Sequence, residues 1–248
     1  VQFAPCDDLL PKPQVTIFYG HLITFFLAIL YVLPLGLIGL AAIRRPLFIV
    51  CLWTSILTGM YTIKSNYKLP PMPEKMSLTQ WRQSLAPIQP WLQKAMMGVD
   101  FHFLFFALIF LTADESVWPA LILGRRSLWS VGPYCARTFS SSHCLGLVAP
   151  TWEKLKGWEK EVLHYSAIAE IILGFYLAIS LLLPSRQIVV CLLYWNYLIN
   201  RYQVPRSHDL HHEAWVQLGE HFEPVLRILP LLRRPIEMAK GFFKLAEI

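Results

Sequence analysis

Residues 15–43 read VTIFYGHLITFFLAILYVLPLGLIGLAAI, a run of 29 residues without Asp, Glu, Lys or Arg. A second uncharged run, residues 46–63, follows almost directly. A helix at the surface of a soluble protein needs one apolar stripe, whereas these segments are apolar on every face. Such helices need lipid or protein all around them, so the sequence predicts an integral membrane protein.

The composition of the 248-residue chain indicates the same class. Hydrophobic residues make up 55% and charged residues 15%, and the mean hydropathy is +0.45. Soluble domains average about 25% charged residues. The net charge of the chain is +6. In a membrane protein such an excess is typical of basic loops that face anionic lipid. We expect no nucleic acid as a partner. The five cysteines lack metal-binding spacing, so we predict no disulfide framework, metal or other cofactor.

Six apolar segments predict an all-α fold of helical hairpins with about four to six membrane segments. They cover residues 15–43, 47–63, 95–111, 117–135, 162–183 and 188–202. Only the first and the fifth reach the roughly 20 residues that a hydrocarbon core of about 30 Å requires. The shorter segments are interpreted as spans of a thin bilayer, as shallow hairpins or as helices buried by partner subunits.

The same pattern divides the chain into three parts. Residues 1–14 form an N-terminal tail. Residues 15–204 form a membrane domain that includes two long linkers, 64–94 and 136–161. Residues 205–248 form an amphipathic C-terminal part. By the positive-inside rule we expect the linkers and both termini in the cytosol. An arginine pair at the turn after the first segment conflicts with this topology.

Amphipathic helices are predicted in the C-terminal part. Apolar residues recur there at helical spacing and form a stripe, which a second short helix continues: Leu218, Phe222, Val225, Leu226, Leu229 and Phe243. We predict that these side chains lie in the lipid interface. The alternative is that they pack against the chain's own linkers.

The charged residues inside the apolar segments include Asp100, Arg125, Arg126 and Glu170. Because a charge inside the membrane is costly, each of them marks an ion pair, a polar cavity or a contact with a partner. We predict an ion pair between Glu170 and Arg125 or Arg126. Alternatively, the two arginines lie at the membrane interface because the fourth segment consists of two half-segments.

A histidine cluster, SHDLHH at residues 207–212, has the His-x-x-His-His spacing of one box of the di-iron membrane desaturases and hydroxylases. Imidazoles at this spacing can converge on a metal from one helix face. Those enzymes carry three boxes, and the other histidines of this chain form no second one. We therefore expect His208, His211 and His212 to be an exposed, partly titrating cluster. A metal-dependent oxygenase is only a remote alternative.

Motifs of other catalytic sites are also missing from the sequence. It contains no glycine-rich phosphate loop, no Gly-x-Ser-x-Gly elbow and no paired-Cys site. We therefore predict that the protein is not an enzyme.

Five apolar signatures occur in a fixed order: YVLPL (31–35), LWTSIL (52–57), HFLFFALIF (102–110), EIIL (170–173) and YWNYLINRY (194–202). In these signatures and their order, the chain resembles the transmembrane protein 33 family over about residues 15–235. The resemblance implies a non-enzymatic membrane protein of the endoplasmic reticulum and nuclear envelope. It also implies a role in shaping tubular membrane and distributing nuclear pores, with reticulon-type partners and C-terminal helices on curved membrane.

The leading hypothesis is therefore a membrane scaffold that binds lipids and other integral membrane proteins. The alternative is an accessory transmembrane subunit of a large respiratory or photosynthetic complex in a mitochondrial or plastid inner membrane. Short spans and many aromatic residues suit burial against such subunits. The arginine pair at 125–126 and the proline-rich linker depart from the family pattern, and under this alternative they are docking surfaces.

Overall fold

A computed structural model shows an all-α protein, which confirms the predicted fold class. It describes residues 12–33, 41–68, 88–138, 143–183, 187–228 and 241. Within these ranges there are nine α-helices and no strand. The helices are α1 (Lys12–Val32), α2 (Arg44–Asn66), α3 (Ile88–Met96), α4 (Val99–Leu111), α5 (Val117–Thr138), α6 (His143–Gly157), α7 (Glu159–Ser180), α8 (Ile188–Gln203) and α9 (Pro205–Ile228).

Three helices of the described chain are long and apolar enough to cross a membrane: Gln14–Val32 within α1, the whole of α2 and the whole of α7. A fourth candidate is the pair α3–α4, which is bent by 83°. At the break, Gly98 has an extended backbone (φ −79°, ψ 139°), which ends one helix and starts the next. The predicted segment 95–111 is therefore two helices at nearly a right angle.

The structure also changes the extent of other predicted elements. Helix α5 runs unbroken through Arg125 and Arg126, so the alternative of two half-segments is wrong. Helix α6 lies inside the predicted linker 136–161, and α3 begins inside the predicted linker 64–94. The long connections therefore carry helices of their own.

The chain divides into two units, Val1–Ser141 and Ser142–Ile248. In the first unit α1 packs against α2 and α5, and α2 packs against α4. Small residues allow this close approach, as in other membrane helix pairs. Gly20 faces Thr58, and a Cβ atom at position 20 would clash with the Thr58 side chain. Thr24 adds a polar link between α1 and α2 through Thr54 (Oγ1 to Oγ1, 3.3 Å).

In the second unit α7, α8 and α9 pack against one another, and α6 contacts α7. The buried core of this unit includes Ala167, Ile171 and Ala214. Phe175 of α7 makes edge-to-face contacts with Trp195 of α8 and Trp215 of α9, at ring distances of 5.6 and 5.8 Å. These aromatic contacts fix the three helices around the polar side chains described next.

Candidate functional site

A buried carboxylate, Glu170 of α7, lies at the centre of the second unit with 1% of its surface exposed. Its Oε2 atom accepts from Tyr197 Oη (3.4 Å) and Arg201 Nε (3.5 Å), and it lies 3.3 Å from His211 Nε2. Tyr194 Oη donates to the backbone carbonyl of Glu170 at 2.8 Å. We call these five residues the Glu170 cluster.

Helical spacing explains how the cluster forms. Tyr194, Tyr197 and Arg201 lie three and then four residues apart on α8, so they share one helix face. That face is turned towards α7, and His211 approaches the same carboxylate from α9. Three consecutive helices thus contribute to one polar centre.

His211 makes polar contacts with both ring nitrogens. Its Nδ1 lies 2.9 Å from the backbone carbonyl of Ser207, which can only accept a hydrogen bond. Its Nε2 lies 3.3 Å from Glu170 Oε2. The imidazole therefore joins the backbone of α9 to the carboxylate of α7.

The cluster can hold α7, α8 and α9 in one arrangement. Glu170 is 1% exposed and the Arg201 side chain 10% exposed, so neither charge can be solvated independently of its partner. Removing one partner from a buried pair typically destabilises a protein by about 3–5 kcal/mol. The side chains of the cluster bind one another across three helices, which suits a role in positioning these helices.

Further polar contacts join α9 to its neighbours. His164 Nε2 and Gln217 Oε1 are 2.6 Å apart. Tyr202 of α8 contacts two histidines: its Oη lies 3.2 Å from His212 Nδ1, and its carbonyl 3.2 Å from His208 Nδ1. Helix α9 is therefore attached along both α7 and α8.

The histidines at 207–212 thus have separate partners. His211 is buried, not exposed as predicted, because it turns towards Glu170. His208 and His212 turn towards Tyr202. In the described ranges, no group of three or more His, Cys, Asp or Glu side chains is placed to hold a metal ion.

The prediction that Glu170 pairs with Arg125 or Arg126 is wrong. Glu170 binds Arg201 and His211, as described above. Arg126 binds Asp100 in the first unit, and Asn66 Nδ2 donates to the same carboxylate at 3.3 Å. The guanidinium groups of Arg126 and Arg125 lie over the Phe103 ring, 4.5 and 5.9 Å from its centre. The structure thus brings Asp100 and Arg126 together.

Of the predicted membrane-interface residues, the structure describes the side chain of Leu218. It is half-buried and packs against the core of α7 and α9, around Ile171 and Ala214. The side chains of Phe222, Val225 and Leu226, and all of Leu229 and Phe243, lie outside the described residues. For these five positions the prediction stays a prediction.

Sequence reasoning did not assign a role to Tyr194, Tyr197 or Arg201. A signal was present, because an aromatic pair and an arginine at spacings of three and four give α8 one polar stripe in an apolar segment. The stripe required a charged partner on a neighbouring helix. Glu170, the acidic residue within the preceding span, was the natural candidate.

The family model described as Transmembrane protein 33/Nucleoporin POM33 matches residues 84–214, more than half of the chain. The match is narrower than the resemblance at about 15–235, but it includes every residue of the Glu170 cluster and also Asp100 and Arg126. No curated protein and no solved structure matches the chain. The chain is an integral membrane protein that belongs to the transmembrane protein 33/nucleoporin POM33 family.

Proposed function

We propose that the protein is a non-catalytic scaffold of endoplasmic reticulum and nuclear envelope membranes, and that it shapes the membrane it occupies. The observation that carries this proposal is the uneven hairpin α7–α8. Helix α7 has 22 residues and α8 only 16. At 1.5 Å per residue, α8 is about 24 Å long, shorter than a hydrocarbon core of about 30 Å.

The two ends of this hairpin differ in polarity. Large apolar side chains are exposed where α7 ends and α8 begins: Ile179, Leu182, Leu183, Ile188, Val189 and Leu192. The opposite end of α8 carries Arg201 and Tyr202, which bind α7 and α9. A hairpin with an apolar tip and a polar base enters lipid from one side. Because α8 is too short to span the hydrocarbon core, we propose that the hairpin adds area mainly to one leaflet and that the bilayer responds by curving.

Helix α9 fits the same proposal. It is attached at the polar base of the hairpin and continues to Ile228, with the predicted apolar stripe on its second half. Lipids are the proposed partners of this stripe beyond Leu218, which packs against α7. Reticulon-type and other integral membrane proteins are proposed partners of the exposed apolar helix faces.

The test is reconstitution of the full chain in liposomes, followed by electron microscopy of vesicle shape. We expect tubules or small vesicles to increase with the protein-to-lipid ratio. The variant Phe222→Glu with Leu226→Glu places two charges on the predicted apolar stripe and should reduce this remodelling. His221→Glu adds a charge at an exposed position of the same helix and serves as the control.

Unchanged vesicle shape with the wild-type chain fully inserted would contradict the scaffold function. The alternative, an accessory subunit of a large organelle complex, predicts a different result in native membranes. Mild detergent extraction would then recover the protein in fixed stoichiometry with a respiratory or photosynthetic assembly.

A further inference from the structure

A polar cavity of about 230 Å³ opens in the first unit, and the proposed function does not use it. Helices α1, α2, α4 and α5 all contribute to its wall. The polar lining includes Gln14, His21, Thr62, Asp100, Arg126 and Ser130. One side is supported by Tyr134 of α5, whose ring stacks on Phe18 of α1 at 4.2 Å. The packing of two helices therefore preforms the wall.

The cavity lies near the ends of two candidate membrane-spanning helices, α1 and α2. Gln14 is the first residue of the α1 span, and Thr62 lies four residues before the end of α2, about 6 Å at 1.5 Å per residue. Asp100 is in the first turn of α4. The headgroup layer occupies about 5–7 Å on each side of the hydrocarbon core. With α1 and α2 spanning the bilayer, the mouth of the cavity would lie at the depth of lipid headgroups.

Both signs of charge are present in this wall. The side chains of Arg126 and Asp100 are 20% and 21% exposed and bind each other. A simple anion in the cavity would be repelled by Asp100, and a simple cation by Arg126. A ligand that carries a positive and a negative group can contact both side chains with favourable charge.

We propose that this cavity binds the zwitterionic headgroup of a phospholipid, an ammonium alkyl phosphate as in phosphatidylethanolamine. The phosphate contacts Arg126, whose planar guanidinium matches phosphate geometry. The ammonium group contacts Asp100. The Phe103 ring under Arg126 (4.5 Å) and the Asn66 amide on Asp100 (3.3 Å) hold the two charged groups in place.

Native mass spectrometry of the full chain in detergent tests this assignment. The purified, delipidated protein is titrated with phosphatidylethanolamine or with anionic phosphatidylglycerol of the same acyl chains. We expect the wild type to retain phosphatidylethanolamine about tenfold more, as for one lost charge contact of about 1.4 kcal/mol. Asp100→Asn should reverse this preference, because it removes the ammonium partner and leaves the arginine.

Arg126→Gln should lower retention of both lipids. Arg45→Gln, an exposed arginine at the start of α2, is the matched control and should change neither. If Arg126→Gln does not fold, Asp100→Asn carries the test, because it keeps the side-chain volume and Arg126. Equal retention of both lipids by the wild type, or an unchanged preference in Asp100→Asn, would overturn the proposal.

Soluble phosphoethanolamine distinguishes the source of the ligand. In the proposed site it competes weakly with the lipid, because it lacks the acyl chains that hold the lipid beside the helices. Binding of the soluble compound without retention of phosphatidylethanolamine would overturn the lipid assignment and identify a soluble phosphate ester instead.

Discussion

Asp100 and Glu170 are two carboxylates that each bind an arginine of another helix, but their surroundings differ. The side chains of Asp100 and Arg126 are 21% and 20% exposed, and they line an open cavity of the first unit. The side chains of Glu170 and Arg201 are 1% and 10% exposed, within the second unit. Glu170 also contacts His211 and Tyr197. Asp100 instead accepts a hydrogen bond from the Asn66 side chain.

Because of this difference in exposure, two ion pairs of the same type have different roles. Solvent or headgroups can replace the partner of Asp100, so the exposed pair contributes little to stability and its groups remain accessible to a ligand. Glu170 has no such access. Loss of either partner there leaves an uncompensated charge in the interior, so the buried pair determines how three helices pack.

The largest effect is expected from Glu170→Leu, which removes the carboxylate at similar volume. Arg201 and His211 then face an apolar side chain, and the free energy of unfolding should fall by about 3–5 kcal/mol. Reversible unfolding of the full chain in mixed micelles, followed by circular dichroism, measures the change.

Two further variants show whether the charge or the packing is responsible. Glu161→Leu changes an exposed carboxylate of the same helix, and its effect should be within about 0.5 kcal/mol. Glu170→Leu combined with Arg201→Met should recover part of the loss, because it removes the unpaired charge. If Glu170→Leu is as stable as Glu161→Leu, the contrast between the two ion pairs fails.

A smaller effect is expected from Gly20→Ala in the first unit. The added methyl group would overlap the Thr58 side chain, which is β-branched and donates to the Thr54 carbonyl at 2.7 Å. Because Thr58 cannot move without losing this bond, the cost should be about 1–3 kcal/mol, measured by the same unfolding experiment.

Gly174→Ala, at the contact between α7 and α8, should lower the free energy of unfolding by less than Gly20→Ala. A Cβ atom at Gly174 would lie 2.9 Å from Leu198 Cδ1, the flexible end of a side chain that can shift. Gly157→Ala, which meets no atom within 4 Å, is the control. A cost at Gly20 no larger than that at Gly157 would show that the first unit does not depend on close packing of α1 against α2.

The membrane fold could be predicted because each span carries its signature within its own residues. A run apolar on every face over Gln14–Val32 needs no knowledge of its neighbours. The bend at Gly98 was not visible, because residues 95–111 read as one predominantly apolar segment on both sides of it. Where one helix stops inside such a run depends on backbone geometry rather than on hydropathy.

The Glu170 cluster could be predicted only in part. The cost of an intramembrane charge indicated that Glu170 has a partner. Arg201 and His211 are 31 and 41 residues away along the chain, and only the docking of α8 and α9 brings them to the carboxylate. Arg125 and Arg126 carry the same charge as Arg201, so charge alone does not identify the partner; the polar stripe on α8 was the signal that favours Arg201.

Helical periodicity has a similar limit at Leu218. Spacing identified the apolar face of α9, but it does not say whether lipid or protein covers that face. For Leu218 the structure places α7 against it. Tertiary packing of this kind depends on distant residues and is not a property of the helix sequence.

The smallest effect is expected from Asp100→Asn. The amide keeps the volume of the carboxylate, and Arg126 stays partly exposed, so the free energy of unfolding should fall by about 1 kcal/mol or less. Glu115→Gln, at an exposed position before α5, is the matched loss of one negative charge. A loss of about 3 kcal/mol, equal to that of a buried pair, would show that exposure does not separate the two carboxylates. A stable Asp100→Asn protein would instead establish that this ion pair can be altered without loss of the fold, as a ligand site at the membrane surface requires.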